Sequence, residues 1–138
     1  MHIRLEKLTV RTRAIGDFVE ITREIDETVT RAGVREGIAL VRSRHTTAAI
    51  TCNEPDPRLH ADMIDAVRAT FPASRPYRHI EEGAENAVAH LATAMLFGEA
   101  TWLPVRNGRL DLGTWQHVYL VELYEPRRRE VDVAVLGD

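Results

Sequence analysis

Three of the six histidines in this 138-residue chain stand where an imidazole can do chemistry. His79 and His90 lie eleven positions apart in the stretch YRHIEEGAENAVAH, 77–90, with Glu81, Glu82 and Glu85 between them. His45 sits in RSRHTT, ahead of a strand-like run. Imidazoles from three separate elements can meet at one point, and three protein nitrogens with an open fourth position build a catalytic zinc-type site. Spacing alone leaves ordinary alternatives open: a hydrogen-bonded loop residue for His45, a solvated turn residue for His79, a satisfied buried ring for His90. His90 is the most suggestive, because NAVAHLATAMLF offers little polar surface after Asn86 and a buried imidazole needs partners. The acids also have two readings. Glu85 or Asn86 at a helix start is favoured by capping and the helix dipole, whereas a carboxylate beside two imidazoles can complete a metal shell or orient a ring nitrogen.

Arginine offers a second kind of chemistry. In PRRRE, Arg127 and Arg129 share strand parity with Val131, Val133 and Val135, which predicts that they emerge where a core face meets solvent. Two guanidinium groups at such a rim can clamp a phosphate or diphosphate; a solvated strand end or an intersubunit salt bridge is the plainer reading. Arg106 and Arg109 flank a hairpin and carry the same two readings. His60 belongs at the edge of a helix's buried face, His2 near a frayable end, and His117 in either a core or a site.

The elements that must position these groups are legible as patterns. HIRLEKLTVRT is a strand whose apolar positions, Ile3 and Leu5 then Leu8 and Val10, slip phase near Glu6 and Lys7, which predicts a bulge. DFVEI is a short strand. In TREIDETVTRAG, Ile25 and Val29 mark one helical face, with Thr22 as a cap and Gly33 as the stop. IALVR and TAAITC are strands. The helix that follows carries Leu59, Met63, Val67 and Phe71 at steps of four, with Asp56 as N-cap, Pro57 in the first turn and Pro72 beyond the end. Asn107 and Gly108 between apolar runs signal a two-residue hairpin. TWQHVYLVELYE is apolar on both faces, so it is central or lies at a subunit interface, and EVDVAVLG closes the chain as a strand. The expectation is a single α+β domain over 1–138, with seven or eight strands in a mostly antiparallel sheet and three helices.

Composition narrows the function. A formal net charge of -3 lacks the basic field that phosphate neutralisation requires, so no nucleic-acid partner is expected. The single Cys52 excludes an intrachain disulfide, and neither a leader-like segment nor an apolar run of about 18 residues occurs. The expectation is a cytoplasmic protein without a membrane partner. Seventeen arginines against Lys7 reflect genome composition or a thermophilic habit rather than a binding function.

The ordered set HTTAAIT with a following NE, YRH with a later AH, NGRL and LGTWQ, and the terminal PRRR with a valine-rich strand resembles the YjbQ family, the secondary thiamine-phosphate synthase family. The resemblance spans nearly the whole chain. It implies a compact α+β fold, self-association as a homotrimer or a higher assembly, and weak thiamine-phosphate synthase activity joining a hydroxymethylpyrimidine diphosphate to a thiazole phosphate. It carries the motif histidines onto His45, His79 and His90 as catalytic or metal-binding groups, and Glu82, Asn86, Trp115 and Gln116 match positions of the same motifs. Arg109 and Arg127 would assist with substrate charge, and Trp115 would stack on the pyrimidine. Where many relatives have an Asp pair or a Gly-Asn pair, this chain has Glu85 and Asn86; His117 occupies a variable place. One tension accompanies the expectation. Three imidazoles suit a zinc-type divalent metal, whereas diphosphate chemistry normally uses magnesium held by carboxylates and water. A zinc-type hydrolase with Glu82 as general base, and a non-catalytic trimer that binds anions or small ligands, are therefore the alternatives.

Overall fold

The computed structural model describes residues 1–138. Its elements in chain order are β1 (His2–Arg11), β2 (Phe18–Glu20), α1 (Thr22–Ala32), β3 (Glu36–Ser43), β4 (Ala48–Asn53), α2 (Pro57–Thr70) and α3 (Ala84–Ala92). A π-helical turn (Thr93–Phe97), β5 (Ala100–Arg106), β6 (Arg109–Leu110), β7 (His117–Glu122) and β8 (Arg128–Gly137) complete it. The eight strands form two sheets rather than one. The larger has the order β1-β8-β3-β5-β6 and the smaller β2-β7-β4, with every pairing antiparallel.

Valines drive the layering. Val131, Val133 and Val135 of β8 and Val41 of β3 meet Val118 and Leu120 of β7 and Ile25 and Val29 of α1 in one core. The opposite face of the smaller sheet, through Tyr119 and Val121, packs with Ile64, Val67, Ala89 and Ala92 of α2 and α3 in a second core. β7 is central in its sheet and has a core on each side, as its doubly apolar pattern predicts. Trp115 and Gln116 precede the strand instead of belonging to it.

Several local expectations hold. Asp56 caps α2 by accepting from Arg58 N at 2.9 Å, with Pro57 in the first turn. Asn107 (φ 53°) and Gly108 (φ 77°) make the tight turn between β5 and β6, and Gly33 ends α1 in the left-handed region. Others need correction. Thr22 is not a cap: Ile21 occupies that position, and the Thr22 hydroxyl accepts from Val118 N at 2.9 Å. Residues 2–11 pair one-to-one with residues 128–137, so β1 has no bulge. Glu6 faces inward because Arg31 of α1 bonds it at 2.6 Å, while Ile3 and Leu5 remain on the outer face, 64% and 75% exposed. There they start two rows across four strands: Ile3, Leu136, Ile38, Pro104 and Leu5, Ala134, Leu40, Trp102.

Candidate functional site

The helix carrying His90 begins earlier than capping rules predict. Gly83 is its N-cap, so neither Glu85 nor Asn86 starts it, and Asn86 lies within the first turn. This frees the Asn86 side chain. Asn86 is 3% exposed; its Oδ1 accepts from His79 Nε2 at 3.2 Å and its Nδ2 donates to Glu82 Oε2 at 3.2 Å. An amide oxygen can only accept, so the proton of a neutral His79 sits on Nε2 and Nδ1 keeps its lone pair. Glu82 thus acts on His79 through Asn86. The His90 ring meets His79 edge-on, with centroids 4.9 Å apart.

His90 lines two clefts. The first, about 790 Å³, includes Phe71, Arg75, Tyr77, Arg78, His79 and Met95. The second, about 680 Å³, includes His45, Thr46, Leu91, Thr93, Gly98 and Glu99. His90 therefore stands between His79 and His45.

His45 is half-buried between β3 and β4, where Glu130 N donates to its Nε2 at 2.8 Å. That bond occupies one ring lone pair and puts the neutral ring's proton on Nδ1. Burial, and then the nearby Arg129 charge, hold the His45 pKa below its usual value of 6.5, which favours this neutral donor. The same bond tests the zinc-type expectation. With Nε2 engaged and Nδ1 protonated, His45 has no lone pair for a metal, which leaves His79 and His90 as a pair of imidazoles. No group of three or more His, Cys, Asp or Glu side chains stands together to hold an ion. The donors of this chain do not fit a three-imidazole centre as they stand, nor a carboxylate-rich magnesium site.

The other expected site residues lie elsewhere. Arg109 donates to Asp26 at 2.6 Å beside a separate shallow cleft with Glu20 and His117. Trp115 is 67% exposed, Gln116 Oε1 accepts from Gly113 N at 2.8 Å, and Arg127 pairs with Glu125. None of these four lines either of the two clefts that His90 shares. The arginine clamp also fails, because Arg129 is 1% exposed and bound to buried Glu122. Its parity is as expected, but that face is core rather than rim.

The whole-chain likeness agrees with the motif set. Residues 6–138 match the family model described as UPF0047 protein YjbQ-like. This chain belongs to the YjbQ family. A UPF0047 protein of Methanothermobacter thermautotrophicus is 37% identical, over 99% of this chain and 94% of that relative. UPF0047 protein YugU of Bacillus subtilis is 34% identical over 96% and 99%. The crystal structure of a YbjQ-like protein of unknown function from Sulfolobus solfataricus superposes with a TM-score of 0.90 at 33% identity, covering 99% of this chain and 98% of that one. In this YjbQ chain, Thr93 is a further candidate site residue, one that the sequence patterns do not single out. It is 5% exposed, its hydroxyl has no hydrogen-bond partner, and it opens the π-helical turn in the wall of the His45 cleft. Such turns recur at functional sites. A lone threonine inside ATAMLF was the available signal.

Proposed function

We propose that this protein is a weak or secondary thiamine-phosphate synthase-like transferase, and the observation that carries the reading is that His90 is common to two adjoining clefts. A two-substrate reaction needs two compartments that meet at the reacting atoms. In the proposed step the methylene C–O bond of hydroxymethylpyrimidine diphosphate breaks and diphosphate leaves with the electron pair. The thiazole nitrogen supplies its lone pair to the new C–N bond. That nitrogen carries no proton, so the demand on the protein is to place the two rings and stabilise the departing charge. Tyr77 and Phe71 offer apolar walls on the His79 side, with Arg75 and Arg78 as cations beside them. On the other side, His45 Nδ1–H suits a phosphate oxygen.

A hydrolase is the second reading, favoured by the His79–Asn86–Glu82 chain, which leaves His79 Nδ1 as a base able to take a proton from water. Glu82, already bonded to Asn86, fits the role of orienter better than that of general base. We also propose that the outer apolar rows of the larger sheet pack against further copies in a homotrimer. Their flanks, Lys7 with Glu130 and Arg42 with Asp132, carry both signs of charge, so one part of this face can meet a different part on the next copy, as the heterologous contacts of a closed trimer require. No helix is long and apolar enough to cross a membrane.

The test is incubation with both substrates and chromatographic detection of thiamine phosphate and diphosphate, with zinc, with magnesium and with a chelator. Thiamine phosphate that disappears in His90→Ala supports transfer. Diphosphate or phosphate released from one substrate alone indicates hydrolysis, and saturable binding without turnover indicates a passive pocket. Sedimentation at several concentrations reads the assembly.

A further inference from the structure

The buried ion pair of Arg129 and Glu122 lines neither cleft, yet it is the most deeply buried ion pair in the molecule. Arg129 is 1% exposed and Glu122 0%. Arg129 Nε donates to Glu122 Oε1 at 2.8 Å, and its Nη2 donates to Glu122 Oε2 and to Thr47 Oγ1, the latter at 3.2 Å. Thr12 Oγ1 and Tyr124 N also donate to the Glu122 carboxylate, at 2.5 and 3.2 Å. Apolar side chains of similar volume commonly serve a core as well as a desolvated ion pair, or better, so stability alone does not account for this one.

What the network reaches is the loop that carries His45. Thr47, two residues after His45, is held by Arg129. Glu130, the residue after Arg129, supplies the N–H that binds His45 Nε2 at 2.8 Å. On the near side of the loop, Ser43 Oγ accepts from His45 N at 3.2 Å and donates to Ala48 O at 2.8 Å. The ring is thus registered between Ser43 and the β8 backbone, and Arg129 ties both ends of that arrangement to β7. We propose that Arg129 and Glu122 are positioning residues that fix the orientation of His45 and keep its ring proton on Nδ1, as a donor for an anionic oxygen of the substrate. The inference rests on the place of His45 in the proposed site, but its test reads the ring itself without substrate.

The experiment records two-bond ¹⁵N–¹H correlations of the histidine rings at pH 7.5, in the wild type and in the double variant Arg129→Met/Glu122→Leu. The wild type is expected to show His45 as a single Nδ1–H tautomer. The double variant is expected to melt as cooperatively as the wild type and to show His45 as a mixture of tautomers, with at least tenfold weaker binding of inorganic diphosphate. Arg129→Lys keeps the charge but cannot bridge Glu122 and Thr47 as a planar fork, so it should give the same mixture even if the double variant does not fold. A folded form of either variant with the wild-type His45 spectrum overturns the proposal. That result leaves the transferase reading intact, just as an inactive wild type with the expected tautomer change leaves the positioning role intact.

Discussion

On the His79 side of His90, the groups that hold the ring come from one short stretch: Asn86 is seven residues from His79, and Glu82 four from Asn86. On the His45 side they come from across the chain. Glu130 is 85 residues from His45, and Arg129 is 82 from Thr47. One ring is thus held by a helix start and its preceding loop, the other by the meeting of β7, β8 and the β3–β4 loop. A local arrangement survives small errors elsewhere in the fold, whereas a non-local one depends on the packing of both sheets. The two sides should therefore respond differently to substitution.

The largest effect is expected on the non-local side. Glu122→Ala leaves the Arg129 guanidinium buried without its counter-charge, which should cost about 3–5 kcal/mol in denaturant unfolding. Asn86→Ala should cost less, about 1–3 kcal/mol, since it removes a buried neutral amide whose partners, His79 and Glu82, remain exposed to solvent. It should still lower the proposed activity by about tenfold or more through loss of the fixed His79 ring. If Asn86→Ala proves the more destabilising of the two, the contrast between local and non-local construction is wrong.

The same contrast governs what could be read from the amino-acid sequence. YRHIEEGAENAVAH already held Glu82, Asn86, His79 and His90, and chain proximity brings those four together whatever the rest of the fold does. Even there the helix start is not legible, because Gly83 as N-cap makes no side-chain hydrogen bond and Glu85 and Asn86 are the more conspicuous candidates. His45 was legible as a candidate, but its partner is a backbone N–H, which no residue type announces. Parity put Arg129 on the correct face of β8; only the strand order places β7 and Glu122 within its reach. β1 makes a similar point. Its outer Ile3 and Leu5 mimic a phase slip because apolar residues stand on both faces of the strand, and only the inner row, Leu8 and Val10, meets the core.

The smallest effect belongs to a group outside both clefts. Glu6 accepts from Arg31 and Arg4, and these bonds lower its carboxyl from 4.5 to about 2 despite the opposing effect of burial. A depressed carboxyl contributes stability that is present above about 4.5 and is lost as pH falls towards 2, where the folded form also takes up the proton. Its side chain keeps 19% exposure, so solvent screens the pair and the contribution should be about 1 kcal/mol or less. Glu6→Gln is thus expected to unfold slightly more easily at pH 7 and to converge with the wild type near pH 2, as read by chemical denaturation across that range. Because Glu6 ties β1 to α1 and bonds none of the groups that hold His45 or His79, the ring spectra of both histidines should stay unchanged. A shift of either ring in Glu6→Gln would mean that the two clefts are coupled to the whole sheet, and that their independent construction is only apparent.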